Sequence, residues 1–156
     1  MAQLIGTAVK RKEDFRFLTG GGNYTDDINR PGQTHAYVVR SPHACANIKK
    51  IDTSKAKAAP GVLGVYTGED IAAAKLGGLP CGWLITDVNG QPMKEPPYPV
   101  IAQGKVRHVG ERVAVVIAET QDQARDAAEM VQVDYVVLPA VAEGRLSRAQ
   151  GGPQVH

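Results

Sequence analysis

Cysteine is scarce in this sequence: Cys45 and Cys81 are the only two in 156 residues. They form no CxxC pair and sit in no Cys/His cluster, which excludes a disulfide-dense scaffold and a cysteine-rich metal framework. That scarcity fits free thiols in a reducing cytoplasm, with one structural bridge as the alternative. Long apolar runs are also lacking, so no membrane span is expected. The opening MAQLIGTAVKRKEDF turns charged within ten residues, so no secretory signal is expected either. Nor is there an excess of one charge. Eighteen Lys and Arg against 16 Asp and Glu leave a net +2, scattered along the chain, which argues against a nucleic-acid or membrane-surface partner. Phosphate-loop (GxxxxGK[ST]) and HExxH motifs are absent.

What remains is ordinary for one soluble domain: 43% hydrophobic and 22% charged residues, and a length that buries a single core. Residues 1–30 are polar and poorly periodic. Thr34 to Ser41 reads as a strand that Pro42 stops, and ANIKKIDTS reads as a weaker one. Asp52, Thr53 or Ser54 can cap a short helix through SKAKAA, which Pro60-Gly61 ends. Val62 to Thr67 is another strand. Thr67 with Asp70 starts a helix expected to reach the Gly77-Gly78 stop.

From Gly77 to about Ala102 the texture changes. This stretch holds five of the ten prolines, the only tryptophan, Trp83, and an Asn89-Gly90 turn signal. A loop of ~25 residues in a compact domain is functional, covered by a partner, or mobile. Val113 to Glu119 is almost continuously apolar and fits a central strand buried on both faces. Thr120 and Gln123 then form a capping box, and Ala124, Ala127, Ala128 and Val131 follow helical spacing. The last strand places Val131, Val133, Tyr135 and Val137 on one face, with Gln132 and Asp134 opposite. Pro139 ends it. Two strand–helix–strand units emerge, Ile48 to Thr67 and Val113 to Leu138. They predict an α+β fold with a mixed sheet, helices on one face and a long Pro/Gly-rich loop. The domain is placed at 1–141, with 142–156 as a linker or tail.

Each candidate site has a structural alternative. Gly20-Gly21-Gly22 lacks the strand before it and helix after it that a phosphate cradle needs, so a tight turn with positive φ is expected. Asp26-Asp27, with Glu13 and Asp14, gives too few convergent oxygens for a hard cation. Pairing with Arg11, Arg16 or Arg40, or capping of backbone amides, is the expected role. None of His35, His43, His108 and His156 pairs at metal-ligand spacing. A dyad of Cys45 with His43 or His108 would need a cationic, partly exposed niche that the sequence does not indicate. Trp83 stands either in a small local core or at a partner contact. No catalytic, cofactor-binding or metal residue is therefore assigned.

The ordered phrases carry more than any one motif. They are RKED, RFLTG and YTDDI near the start, then RSPHA (Arg40 to Ala44), DTS (Asp52 to Ser54), PGV with TGED, VGE (Val109 to Glu111) before VAVVIAE, and DY with LPAV. Together, from about Gly6 to Val141, they resemble the N-terminal a/b hammerhead domain of the large, molybdenum-binding subunit of the xanthine dehydrogenase, aldehyde oxidase and carbon monoxide dehydrogenase family. The resemblance implies an accessory structural domain of a molybdenum hydroxylase, not catalytic alone and cytoplasmic. The full enzyme would use molybdopterin cytosine dinucleotide, [2Fe–2S] clusters and FAD, and its cofactor domain and iron–sulfur or flavin subunits would be the partners. The family's pterin contacts and catalytic glutamate lie in a following domain, so no site residue carries over. Three departures stand out. The family often has Gly-Arg-Gly at Gly20-Gly21-Gly22 and histidine at Cys45. It usually has proline at Arg112, which puts that arginine near a partner surface or in solvent. The alternative is a free-standing protein-binding module that uses the 77–102 loop with Trp83 and Tyr98. A hydrolase built on Cys45 or His43 is a third reading.

Overall fold

The computed structural model describes residues 5–156. The chain divides into two compact units, one ending at Gln33 and one running from Thr34 to His156. The first holds a one-turn helix, α1 (Asp14–Leu18), and a 3-10 turn over Thr25–Asp27. A single turn is too short to show a hydrophobic period, so the sequence pattern leaves this stretch without elements.

The second unit runs β1 (His35–Arg40), β2 (Ala46–Asp52), α2 (Ser54–Lys57), β3 (Val62–Thr67), α3 (Gly68–Ala73), β4 (Lys105–Val106), β5 (Arg112–Ala118), α4 (Gln121–Glu129), β6 (Gln132–Val137) and α5 (Gly144–Arg148). The strands expected from the pattern are present, and the α+β class holds. Their pairing differs from a single mixed sheet. Two three-stranded antiparallel sheets form, in the orders β1-β5-β3 and β4-β2-β6. Each strand–helix–strand unit therefore joins strands of different sheets. The connection from Asp52 to Val62 is shorter than the dozen or so residues a parallel crossover needs. In the second unit, β5 is already paired on both edges, by β1 and β3, so β6 must pair elsewhere.

β5 is the central strand of its sheet, as its apolar run predicts, and it feeds two cores. Val116 joins Ala56, Val65, Ala127 and Ala128, while Val113 joins Ala46, Ala102 and Val106. The alanine stripe of α4 lets that helix lie close on β1, β5 and β3, and α2 packs on β3 and α4. The capping box forms as expected: the Gln123 N–H donates to Thr120 Oγ1 at 3.2 Å, and the Thr120 N–H donates to Gln123 Oε1 at 3.0 Å. In β6, Val133 and Tyr135 pack against the second core, and Gln132 and Asp134 face out. Val137 was expected on the inner face but is 62% exposed, because the second core stops at Tyr135.

α3 begins at the expected cap. The Thr67 N–H donates to Asp70 Oδ2 at 2.7 Å and the Thr67 hydroxyl at 2.9 Å, and the backbone bond is the larger cause holding the Asp70 carboxyl below its ordinary range. The helix stops earlier than Gly77. Lys75 takes φ +54°, its N–H donates to Ala72 O, and the Leu76 N–H donates to Ile71 O. That is a Schellman ending with lysine where glycine is usual. α1 ends the same way, with Gly20 at φ +78° and the Gly21 N–H on Arg16 O at 2.8 Å. The two endings predict opposite outcomes. Lys75→Gly should raise stability by about 0.5–1 kcal/mol by relieving the left-handed conformation. Gly20→Val should lower the stability of its turn by about 1–2 kcal/mol or more. Denaturant titration reads the first, and hydrogen exchange of the Gly21 amide reads the second.

Candidate interaction surface

The most recognisable phrases of the sequence meet in space. RSPHA leaves β1, and RHVGER forms the turn between β4 and β5, with Gly110 at φ +83°. The Ser41 N–H donates to Glu111 O at 2.9 Å, the Gly110 N–H donates to Ser41 O at 2.8 Å, and the Arg40 guanidinium reaches Gly110 O at 2.9 Å. The Glu111 side chain is buried, 3% exposed, and its Oε2 accepts the Arg107 N–H. His108 Nδ1 lies 3.7 Å from the same oxygen. The Ser41 hydroxyl accepts the His43 N–H at 3.0 Å and donates to His43 O at 3.1 Å. The His43 ring meets Tyr135 edge-on at 4.9 Å, and burial raises the Tyr135 phenol above its ordinary value. The Glu111 carboxylate, the Ser41 hydroxyl and the carbonyls of Ser41 and Glu111 each accept a backbone N–H, and the Gly110 and His43 carbonyls accept side-chain donors, which is the chemistry of a brace between two loops.

The other candidates resolve likewise. The glycine run caps the C-terminus of α1, and a Cβ on Gly22 would meet Phe17 and Tyr24. A helix C-terminus presents carbonyls, the wrong polarity for a phosphate. Asp27 accepts the Tyr24 N–H at 2.8 Å, the amide-capping role. The expected arginine partners are engaged elsewhere: Arg11 pairs with Asp14 at 2.7 Å, Arg16 lies over the Phe17 ring, and Arg40 braces Gly110. Both cysteines are free thiols, Cys45 buried and Cys81 exposed. Cys45 and His108 line one cavity, but among the described residues no hydrogen bond joins Cys45 to a histidine. Arg112 is neither loose in solvent nor free: it is half-buried, with its guanidinium 5.6 Å from the centre of the Tyr98 ring.

The surface that stands open is the 77–102 loop. Trp83 is 80% exposed and Val88 fully so, and Leu79, Leu84, Ile85 and Tyr98 are exposed beside them. The local-core reading of Trp83 is thereby excluded. The loop has an ordered tip, however. Asp87 Oδ1 accepts the N–H groups of Asn89 and Gln91 at 2.8 and 2.9 Å, Gly90 turns at φ +76°, and Thr86 bridges Pro92. At its far end the Ala102 N–H donates to Arg112 O at 2.8 Å. The result is a clamped loop carrying several exposed apolar side chains, a candidate interaction surface.

Among the described residues no three His, Cys, Asp or Glu side chains gather to hold a metal ion, and no helix is long and apolar enough to cross a membrane. The cavities of the second unit hold about 150 to 330 Å³, and pockets for drug-sized ligands begin at roughly 300 Å³.

A family model described as the a/b hammerhead domain of aldehyde oxidase and xanthine dehydrogenase matches residues 19–139. The chain is 43% identical over 141 residues to the carbon monoxide dehydrogenase large chain of Afipia carboxidovorans, covering 90% of this chain and 16% of that one. It is 41% identical over 150 residues to the nicotine 6-hydroxylase large subunit of Paenarthrobacter nicotinovorans, covering 96% of this chain and 18% of the relative. A crystal structure of the Cu,Mo-CO dehydrogenase in its carbon monoxide reduced state superposes with a TM-score of 0.72 at 39% identity, covering 95% of this chain and 17% of that one. The chain thus spans less than a fifth of the length of these relatives.

Proposed function

Because the chain belongs to the aldehyde oxidase and xanthine dehydrogenase a/b hammerhead domain family, we propose that it is an accessory domain of a molybdenum hydroxylase. It braces the large subunit and contributes no reacting group. The observation that carries this reading is the match of nearly the whole chain to a small fraction of much longer relatives, among them a carbon monoxide dehydrogenase large chain and a nicotine 6-hydroxylase large subunit. The apolar 77–102 loop is the surface that would lean on the cofactor domain or on an iron–sulfur or flavin subunit, with Trp83 as its anchor. The molybdenum–pterin dinucleotide, with [2Fe–2S] clusters and FAD, supplies the redox chemistry of such an enzyme when bound. These groups would sit outside the described residues, in a cytoplasmic assembly.

Affinity purification of the chain from its own cells, with crosslinking, tests this. Co-purification with molybdenum-enzyme polypeptides is expected, and Trp83→Glu should weaken that association about 30-fold, the effect of losing a hot-spot aromatic. The exposed loop also favours the second reading, a free-standing protein-binding module. Recovery with Trp83-dependent partners unrelated to molybdenum enzymes would support that reading and overturn the first.

A further inference from the structure

Of the asparagines in the chain only Asn89 is followed by glycine; Asn23, Asn29 and Asn47 precede Tyr24, Arg30 and Ile48. Asn89-Gly90 sits at the tip of a small hairpin inside the 77–102 loop. The Met93 N–H donates to Ile85 O at 3.0 Å, the Asp87 N–H to Gln91 O at 2.8 Å, and the Gly90 N–H to Asp87 O at 3.0 Å. With Gly90 at φ +76°, this is the three-residue connection in which a left-handed residue follows a tight turn. Asp87 Oδ1 ties the tip together by accepting the Asn89 and Gln91 N–H groups. The Asn89 side chain is exposed, and among the described residues its carboxamide makes no hydrogen bond.

We propose that Asn89 is a site of spontaneous deamidation and that Asp87 sets its rate. Gly90 N gives up its proton to water and attacks Asn89 Cγ. The N–Cγ bond forms, the Cγ–Nδ2 bond breaks, and Nδ2 takes a proton and leaves as ammonia. Water then opens the succinimide ring at either carbonyl. One opening gives aspartate, and the other gives isoaspartate, whose main chain runs through the side-chain methylene. Glycine leaves the attacking nitrogen unshielded, and beyond its chain neighbours no heavy atom lies within 4 Å of where a Cβ on Gly90 would stand. The hairpin opposes the step. Asp87 O engages the Gly90 N–H and Asp87 Oδ1 fixes the residues on either side, so attack waits for the tip to open. A two-stranded hairpin is marginal by itself, which keeps that opening within reach. The product alters the loop: a carboxylate, charged at neutral pH, replaces a neutral amide two residues from Asp87, and isoaspartate shifts the pairing of Thr86 with Pro92. The modification concerns this chain alone, and only its effect on docking rests on the proposed function.

Incubation of the full chain at mildly alkaline pH, followed by peptide mapping with mass spectrometry, tests this. The peptide holding Asn89 should gain the mass of OH exchanged for NH₂ and divide into aspartate and isoaspartate forms that chromatography separates. It should do so about tenfold faster or more than the peptides holding Asn23, Asn29 and Asn47, which serve as internal controls. Asp87→Ala should raise the Asn89 rate about three- to tenfold, the effect of losing one or two hydrogen bonds, and leave the other rates unchanged. In concentrated urea the substituted and unsubstituted chains should deamidate Asn89 at one rate, because the hairpin is gone from both. An Asn89 rate no higher than that of the other asparagines would overturn the site. Equal Asn89 rates in the two folded chains, or a difference that persists in urea, would overturn the role of Asp87.

Discussion

Gly68→Ala should destabilise the domain by about 2–3 kcal/mol, the cost of forcing a methyl group into a filled site. A Cβ at Gly68 would land inside the van der Waals shell of the Ala102 carbonyl oxygen, with Ala102 carbon 3.0 Å away and Gln103 Cγ at 3.1 Å. Two of the three neighbours are backbone, and backbone cannot rotate out of the way as a side-chain end can. Ala102 is buried in the second core and bonded to Arg112, so it cannot retreat without dragging β5. For a unit of this size the melting temperature should fall by roughly 5–10 °C. The same contact fixes the end of the 77–102 loop against the start of α3. The variant should therefore also loosen the loop, seen as faster hydrogen exchange at the Leu79 amide, which donates to Tyr98 O at 2.8 Å. A melting temperature unchanged within a degree would show that the loop end is not clamped there.

This contact was not legible in the sequence, and the reason is general. Local signals are written in neighbouring residues: the Thr120–Gln123 box, the α4 alanine stripe, the Asn89-Gly90 turn and the strand limits at Val62 to Thr67 all appeared where expected. Pairing between distant segments is not written locally. Alternating strands can join a mixed sheet or two antiparallel ones, and only the occupancy of both β5 edges decides it. Lys75 marks another limit, since a Schellman ending normally announces itself by glycine. The family resemblance rested on an ordered set of phrases, RSPHA and VGE among them. The fold gives a physical account of those phrases, because Ser41 and Glu111 bond each other's loops. What the phrases could not tell was that the brace has a buried carboxylate at its centre.

That carboxylate separates a brace from a reacting acid or base. Glu111→Ala should cost about 2–3 kcal/mol, because it leaves the part-buried Arg107 N–H without its acceptor and opens a void where the buried Glu111 side chain stood. Glu111→Gln keeps an acceptor oxygen of similar shape and should cost less than about 1 kcal/mol. It still supplies the bond to Arg107, although its NH₂ group must find room near His108 Nδ1. An amide cannot exchange a proton as a carboxyl does, so a general acid or base would lose activity by about 10²-fold or more in the glutamine variant. For a brace the two substitutions part company: in the proposed molybdenum-hydroxylase assembly, Glu111→Gln should leave turnover at nearly the native rate, and Glu111→Ala should fail through instability. Equal stability of the two variants, measured by urea unfolding, with activity lost in both, would move Glu111 from the frame of the domain into its chemistry.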